Sequence, residues 1–472
     1  MELSSSNPIY HTARRLEIQF LWYNAIPLRE VMPLARKAEI VPAARSSIPA
    51  RHIAAVVAGN ALEFYDFLTY AFFAVYIGRA FFPSSTPSTS LLASLATFGV
   101  GFVTRPIGSV VIGRMGDRLG RKPAMILTFT LMGIAITGLA LTPSYAMIGV
   151  AAPILVIIFR MLQGFALGGE VGPTTAFLLE AAPPERRGFY TAFQAWTQHL
   201  AVLVSGLVGY ALSTLLTAQQ LQDFGWRIAF LIGTLIVPFG LLVRRSLPET
   251  LHRTAQSREE RVPLRPYLGV AAIGLMLLGS GTIGTYITNY MTTYAVATLH
   301  LPAKIAFAPT VVVGLCGVTF DLVSGALSDR VGRKPVMLVP GVLLLLLILP
   351  AFHLISRYRT MATLVGETAV LATLLDISVV PMITWLTESL PATIRSAGVA
   401  VVYACAIATF GGTTQYAVTW LIKVTGNPLA PAWYWTGAAA VGLAGILLTR
   451  ESAPGKAVRR EAALVRVPEN SS

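Results

Sequence analysis

Two carboxylates stand three residues apart in the first long apolar run, Gly59-Asn-Ala-Leu-Glu63-Phe-Tyr65-Asp66-Phe67. On a helix, residues at that spacing share a face. A carboxylate charge left unpaired among apolar helices costs several kcal/mol. The pair Glu63 and Asp66 is therefore suited either to take up a proton or to neutralise a cation. Two cations of the same kind exist: Arg105 and Arg160 both stand inside apolar runs. Arginine keeps its proton in proteins, so Arg160 needs an anion: Glu63, Asp66, Glu170 or a carboxylate from outside the chain. Arg105 could bind such a carboxylate, close a gate or pair structurally. Gln163 follows Arg160 by three residues and adds an amide to the same face.

Polar side chains recur further on. Residues 279–294 read Gly-Ser-Gly-Thr-Ile-Gly-Thr-Tyr-Ile-Thr-Asn-Tyr-Met-Thr-Thr-Tyr. Tyr286, Asn289, Tyr290 and Thr293 fall on one helical face, where hydroxyls and an amide suit a carboxylate or a polyol. Interhelical hydrogen bonding through small polar residues is the plainer alternative. Gln194, Gln198 and His199 form a second patch, although a lone histidine is more often structural than a ligand. Asp321 and Asp376 are further acids within apolar runs, and Asp376 is a candidate to balance a buried cation.

The elements that must hold these groups follow from composition. Of 472 residues, 54% are hydrophobic and only 12% charged, with a mean hydropathy of +0.66. Soluble domains are about 25% charged, so a water-soluble globule of this size would have too few charges to cover its surface and is disfavoured. A bilayer core needs about 20 apolar residues per helix. A β-barrel would show ~10-residue alternating segments instead. Twelve spans are expected, at 52–78, 90–113, 123–143, 147–180, 189–216, 226–243, 267–296, 304–327, 335–355, 360–387, 396–422 and 432–449. The longest connection lies between spans six and seven. The expected organisation is an N-terminal tail (1–51), six helices (52–245), a linker (246–266), six helices (267–450) and a C-terminal tail (451–472). Met32 is an alternative start that would shorten the N-terminal tail. No secretory signal pattern stands near the N-terminus.

The net charge of +14 would suggest nucleic acid on a soluble protein. Its distribution speaks against that. With an even span count and both tails inside, 28 of the 36 Lys and Arg fall on the inner side. This is the positive-inside pattern, and it orients both termini to the cytoplasm. Cys316 and Cys405 show neither zinc spacing nor a disulfide framework.

The chain repeats itself. Gly113-Arg-Met-Gly-Asp117-Arg118-Leu-Gly120-Arg121-Lys122-Pro123 after span two matches Gly325-Ala-Leu-Ser-Asp329-Arg330-Val-Gly332-Arg333-Lys334-Pro335 after span eight. Glu180-Ala-Ala-Pro183 after span four likewise matches Glu388-Ser-Leu-Pro391 after span ten. The two pairs stand 212 and 208 residues apart, nearly one offset. Two six-span units in the same orientation imply a pseudo-two-fold axis along the membrane normal. Asp117, Arg121 and Glu180 could form a charge relay at the inner end of the first unit, mirrored by Asp329, Arg333 and Glu388. A relay that breaks as the units rock would give two discrete states. The alternative is a solvated basic loop that sets topology alone.

These motifs resemble those of the major facilitator superfamily: the Gly-x-x-x-Asp-Arg-x-Gly-Arg-Lys sequence, and Arg160-Met-Leu-Gln163-Gly164 with Gly168-Gly169-Glu170. The Glu63–Asp66 segment, Arg105-Pro106-Ile-Gly108 and Arg245-Ser-Leu-Pro248-Glu249-Thr250 are similar to the metabolite:proton symporters within it. The resemblance covers residues 52–450. It implies an all-α, twelve-helix fold of two six-helix domains, with both tails in the cytoplasm of a bacterium. It further implies a proton-coupled importer of the inner membrane, with relatives that carry citrate, tricarballylate, shikimate, 2-oxoglutarate, or proline and betaine.

On this reading Glu63, Asp66 and Arg160 couple the proton. Tyr65, Arg105, Gln163, Gln198, His199, Tyr286, Asn289, Tyr290 and Asp376 are candidates to bind substrate. A di- or tricarboxylate such as citrate is favoured; shikimate or another aromatic acid, and proline or betaine, are rivals. A drug:proton antiporter is disfavoured because Ser205-Gly206-Leu-Val-Gly209 in span five contains no proline. No Gly-x-Ser-x-Gly, His-Glu-x-x-His or Gly-x(4)-Gly-Lys-Ser/Thr pattern points to an enzyme. A sensor would need a signalling domain. The expected partners are an organic anion, a proton and the bilayer, with no cofactor, metal or nucleic acid, and the monomer is the expected working unit.

Overall fold

A backbone in lipid must satisfy its N–H and C=O groups within its own segment, and the described apolar runs are all helical. The structure is a computed structural model, and it describes residues 61, 64–65, 67–119, 121–168, 178–179, 182–234, 238 and 265–453. Among the described residues eight helices are long and apolar enough to span a bilayer: Pro87–Ile112, Pro184–Leu215, Arg265–Ala297, Ala303–Val331, Arg333–Tyr358, Met361–Glu388, Ala397–Thr425 and Ala430–Leu448. These are spans two, five and seven to twelve. Span three lies in the helix Arg121–Leu141 and span four in Ala151–Leu167. Span one includes Ala74–Phe81, and residues 226–234 of span six are helical. The tails and the linker lie outside the described residues, save 265–266 and 451–453, as does the question of Met32. The described residues belong to one compact unit.

Local signals fix the helix ends. Thr86 caps span two by accepting the Thr89 N–H, with Pro87 in the first turn. Thr360 and Thr363 cap span ten reciprocally. The expected loop after span eight is almost entirely helix. Span eight runs to Val331 and span nine begins at Arg333, leaving Gly332 as the turn, with φ +114°. A side chain there would be strained, and a Cβ would also come within 2.6 Å of the Glu451 carboxylate. The first copy has the same layout, with one helix ending at Leu119 and the next beginning at Arg121.

Two six-helix halves meet along matched helix pairs. Span five packs along span eight, and span two along span eleven. Advancing two and five by six gives eight and eleven, so each pair is the repeat image of the other. Small residues let these backbones approach closely, as is usual between membrane helices. A Cβ on Gly99 would lie 2.5 Å from the Gly412 carbonyl oxygen, and one on Gly188 would lie 2.6 Å from that of Gly325. The largest apolar cluster of the first half gathers Phe67, Phe72, Phe73, Phe98, Phe102 and Trp226. Tyr294, Phe352 and Trp435 anchor its counterpart in the second half.

Candidate substrate and coupling site

Span two brings Arg105, and span four Arg160, to the seam between the halves. Arg160 is completely buried. Its Nη1 donates to Gln163 Oε1 at 2.7 Å, and its guanidinium lies over the rings of Phe67 (4.4 Å), Tyr70 (4.5 Å) and Phe98 (4.9 Å). Arg105 lies over Phe67 at 4.5 Å and Phe102 at 4.2 Å. Ring faces stabilise a guanidinium by about 0.5–2 kcal/mol each, which falls short of an anion. Among the described residues Arg105 Nε and Nη2 and Arg160 Nε have no hydrogen-bond partner. Among the described residues neither arginine meets a carboxylate.

The second half faces this pair through aromatic contacts. Tyr286 of span seven stands edge-on to Phe102, with ring centroids 5.7 Å apart, and 6.1 Å from Phe98. Below it, the Tyr290 hydroxyl accepts from Thr419 at 2.8 Å, and Gln415 Nε2 donates to the Tyr286 carbonyl at 3.3 Å. Gln163 Nε2, both amide atoms of Gln194, Asn289 Oδ1 and Gln415 Oε1 are buried with no partner among the described residues. They come from spans four, five, seven and eleven, so unmet hydrogen-bonding capacity is concentrated in helices that border the seam.

A second charged group crosses the seam. His199 Nδ1 lies 2.7 Å from Asp321 Oδ2, and His199 Nε2 lies 3.5 Å from Asp376 Oδ1. The histidine belongs to span five of the first half, the aspartates to spans eight and ten of the second. Both aspartates are buried, and Asp321 Oδ1 and Asp376 Oδ2 have no partner. One ligand atom from each residue lies within 4.8 Å of the others.

A third cluster stands where spans eight, nine and ten end. Arg333 is fully buried; its Nη1 donates to Asp329 Oδ1 at 2.7 Å, its Nη2 to Glu388 Oε1 at 3.0 Å and its Nε to Glu388 Oε2 at 3.2 Å. Glu451 accepts the backbone N–H groups of Arg333 and Lys334, at 2.8 and 3.1 Å, and so caps span nine. The Asp329 carboxylate also reaches the other half, accepting the N–H groups of Gly188 and Phe189 at the start of span five. At the opposite end of the bundle, Lys423 of span eleven donates to Thr89 of span two at 2.9 Å.

The sequence-derived candidates therefore divide. Arg105, Arg160, Gln163 and Tyr286 come together at the seam. Asn289 and Tyr290 continue the buried face of span seven. His199 and Asp376 meet each other. Gln198 lies against the Tyr403 hydroxyl, which also feels the Arg105 charge. The Tyr65 hydroxyl donates to the Ala229 carbonyl in span six at 2.9 Å. Asp329, Arg333 and Glu388 form one cluster. Glu63, Asp66, Glu170 and Glu180 lie outside the described residues, as do the side chains of Asp117 and Arg121. Sequence reading did not anticipate the pairing of His199 with Asp321 or the cap formed by Glu451.

Two six-helix halves enclosing buried, unmatched polar groups define a multi-pass membrane transporter. Residues 56–406 match the profile of the Major Facilitator Superfamily, to which the chain belongs. It is 38% identical over 394 residues to a citrate-proton symporter of Klebsiella pneumoniae, covering 82% of this chain and 89% of that protein. It is 33% identical to the alpha-ketoglutarate permease of Escherichia coli K12, covering 88% and 97%, and 31% identical to that organism's proline/betaine transporter, covering 85% and 83%. Among solved structures, the xylose transporter XylE from E. coli, partially occluded and inward open, superposes with a TM-score of 0.69. At 18% identity, it covers 86% of this chain and 99% of XylE, and the likeness is one of fold. The chain is thus a transporter and not an enzyme.

Proposed function

We propose that this protein is a proton-coupled symporter that imports a small organic anion, with a di- or tricarboxylate such as citrate favoured. The observation that carries this reading is the buried pair Arg105 and Arg160. Their guanidinium groups share the Phe67 ring and meet no carboxylate among the described residues. Two fixed positive charges suit a substrate with at least two carboxylates, because planar guanidinium groups bind carboxylates bidentately. A zwitterion such as proline would place its ammonium beside a cation. The 38% identity to a citrate-proton symporter supports the same substrate class and the proton coupling.

Alternating access would follow from rocking two six-helix domains (52–245 and 267–450), joined by the linker 246–266, about the seam. The excess of Lys and Arg on one face of the chain supports an inner-membrane orientation with both tails in the cytoplasm. The Arg333 cluster would then close the cytoplasmic side, and Lys423 with Thr89 the outer side.

Uptake of labelled citrate, tricarballylate, 2-oxoglutarate, shikimate and proline into proteoliposomes, with and without an imposed pH gradient, tests the proposal. Gradient-dependent accumulation of a di- or tricarboxylate supports it. Accumulation of proline alone would overturn the substrate class, and uptake indifferent to the gradient would overturn the coupling.

A further inference from the structure

Three ionisable side chains stand near the middle of the bundle, separate from the arginine pair: His199, Asp321 and Asp376. Counting residues to the ends of spans five, eight and ten nearest the Arg333 cluster puts them about 15–18 Å deep at 1.5 Å per residue. That is roughly the midplane of a ~30 Å hydrocarbon core. The group is split between the halves: the base is on span five and both acids are on the second half.

We infer that the His199–Asp321–Asp376 cluster is the site that carries the transported proton, with Asp376 the group that takes it up. The inference rests on the symporter reading above and moves the coupling site away from the first span. Charge counting supports it. With His199 protonated and both aspartates ionised, the cluster carries a net charge of −1. One added proton makes it neutral. A neutral cluster can be enclosed between two halves packed in hydrocarbon. A net charge there costs several kcal/mol and favours a parted, hydrated seam.

Geometry separates the two acids. Asp321 sits 2.7 Å from the imidazole and acts as its fixed counterion. Asp376 sits 3.5 Å away, and its Oδ2 meets no partner among the described residues. In the loaded state the proton resides on the Asp376 carboxyl, beside imidazolium and the Asp321 carboxylate. Its release to water on the far side restores the −1 cluster, and no other bond is made or broken.

Among the described residues, no charged side chain other than the three lies against the cluster. Cys316 of span eight is the further titratable group near Asp376. Tyr403 of span eleven touches Gln198, next to His199, and lies in the field of Arg105. Tyr286 of span seven faces Arg105 and Arg160. On span nine, Arg333 and Lys334 stand at one helix end, and His353 and Arg357 toward the other.

The test uses the full chain in proteoliposomes with labelled citrate. Two assays are compared: accumulation driven by a pH gradient, and counterflow, which exchanges substrate without net proton movement. Wild type reports on the symporter reading alone. Counterflow without gradient-driven accumulation or medium alkalinisation would overturn that reading, independently of the cluster. Given a coupled wild type, Asp376→Asn should lose accumulation to the level of protein-free vesicles while retaining counterflow. Wild-type accumulation in Asp376→Asn overturns the inference. If Asp376→Asn loses counterflow or fails to fold, Asp376→Glu decides. Accumulation restored by the longer carboxylic acid supports the inference, and a monodisperse but inactive Asp376→Glu overturns it. Loss of wild-type accumulation on adding EDTA would assign the three ligand atoms to a metal ion and also overturn it.

Discussion

Asp329 accepts the backbone N–H of Gly188 at 2.8 Å, and this bond runs from the second half of the transporter to the first. The same carboxylate accepts the Phe189 N–H at 2.9 Å and holds Arg333 at 2.7 Å. Gly188 and Phe189 open the helix Arg187–Leu215, whose first N–H groups have no partner within the helix and whose dipole favours an anion. A motif residue of one repeat thus caps a helix of the other. Where the seam opens at this end, the cap must be released.

Asp329→Asn should weaken that closure. It removes the charge, one acceptor oxygen and an ion pair to Arg333. Hydrogen bonds to charged groups are worth about 1.5–3 kcal/mol, so the closed-to-open ratio at this end should fall roughly 10- to 100-fold. The readout is maleimide labelling of a cysteine placed at Ala192, which is buried against Gly325, with Cys316 and Cys405 replaced by serine. Labelling should quicken in Asp329→Asn. An unchanged rate would mean that other contacts hold the seam.

The relay motif was visible in the sequence because its two copies repeat at nearly one offset, and the spans were visible because lipid leaves the backbone no alternative to helix. Arg105 and Arg160 stood out because charges are rare in apolar runs. Their aromatic surroundings did not, since Phe67, Phe98 and Phe102 look like ordinary lipid-compatible residues until they are packed. The pairing of His199 with Asp321 and Asp376 was beyond reach: they lie 122 and 177 residues away on other helices, and periodicity orders residues only within one helix. The three unmatched charges were a signal that some pairing had to exist. The expected loop after span eight proved largely helical because a single left-handed glycine, Gly332, makes the turn.

Arg105 and Arg160 should separate binding from stability. Among the described residues Arg105 Nε and Nη2 have no partner, so Arg105→Gln should leave folding largely intact and weaken citrate binding. The loss of a charge-assisted bond, about 1.5–3 kcal/mol, corresponds to roughly a 10- to 100-fold rise in Kd. Arg160 also holds Gln163 and lies over three rings, so Arg160→Gln should lower the melting temperature as well. Isothermal titration with citrate and thermal melts in detergent check both. Unchanged citrate affinity in both variants would remove the arginines from the site.

The opposite end of the bundle should respond to a single methyl group. A Cβ on Gly99 would lie 2.5 Å from the Gly412 carbonyl oxygen, too close for spans two and eleven to pack as they do. Overpacking typically costs about 1–3 kcal/mol, so Gly99→Ala should favour conformations parted near Thr89 and Lys423. Transport should slow by roughly 5- to 100-fold, and a cysteine placed at Leu91, which is buried in the second half's apolar cluster, should label faster. Wild-type transport in Gly99→Ala would show that this contact is never made during the cycle.

Gly317 gives access to the histidine cluster without changing any charge. A Cβ there would fall 2.0 Å from His199 Cγ and 2.3 Å from Nδ1, the atom that meets Asp321. Gly317→Ala must therefore displace the imidazole or push spans five and eight apart, costing about 1–3 kcal/mol. A double-mutant cycle distinguishes these outcomes, because residues in contact show non-additive effects. If the methyl acts through the ring, Gly317→Ala should destabilise the wild type but cost little in a His199→Ala background, where the ring is gone. Thermal melts of the four proteins measure the coupling directly. Equal destabilisation in both backgrounds would place the strain in the helix backbones and leave the His199 ring undisturbed by Gly317.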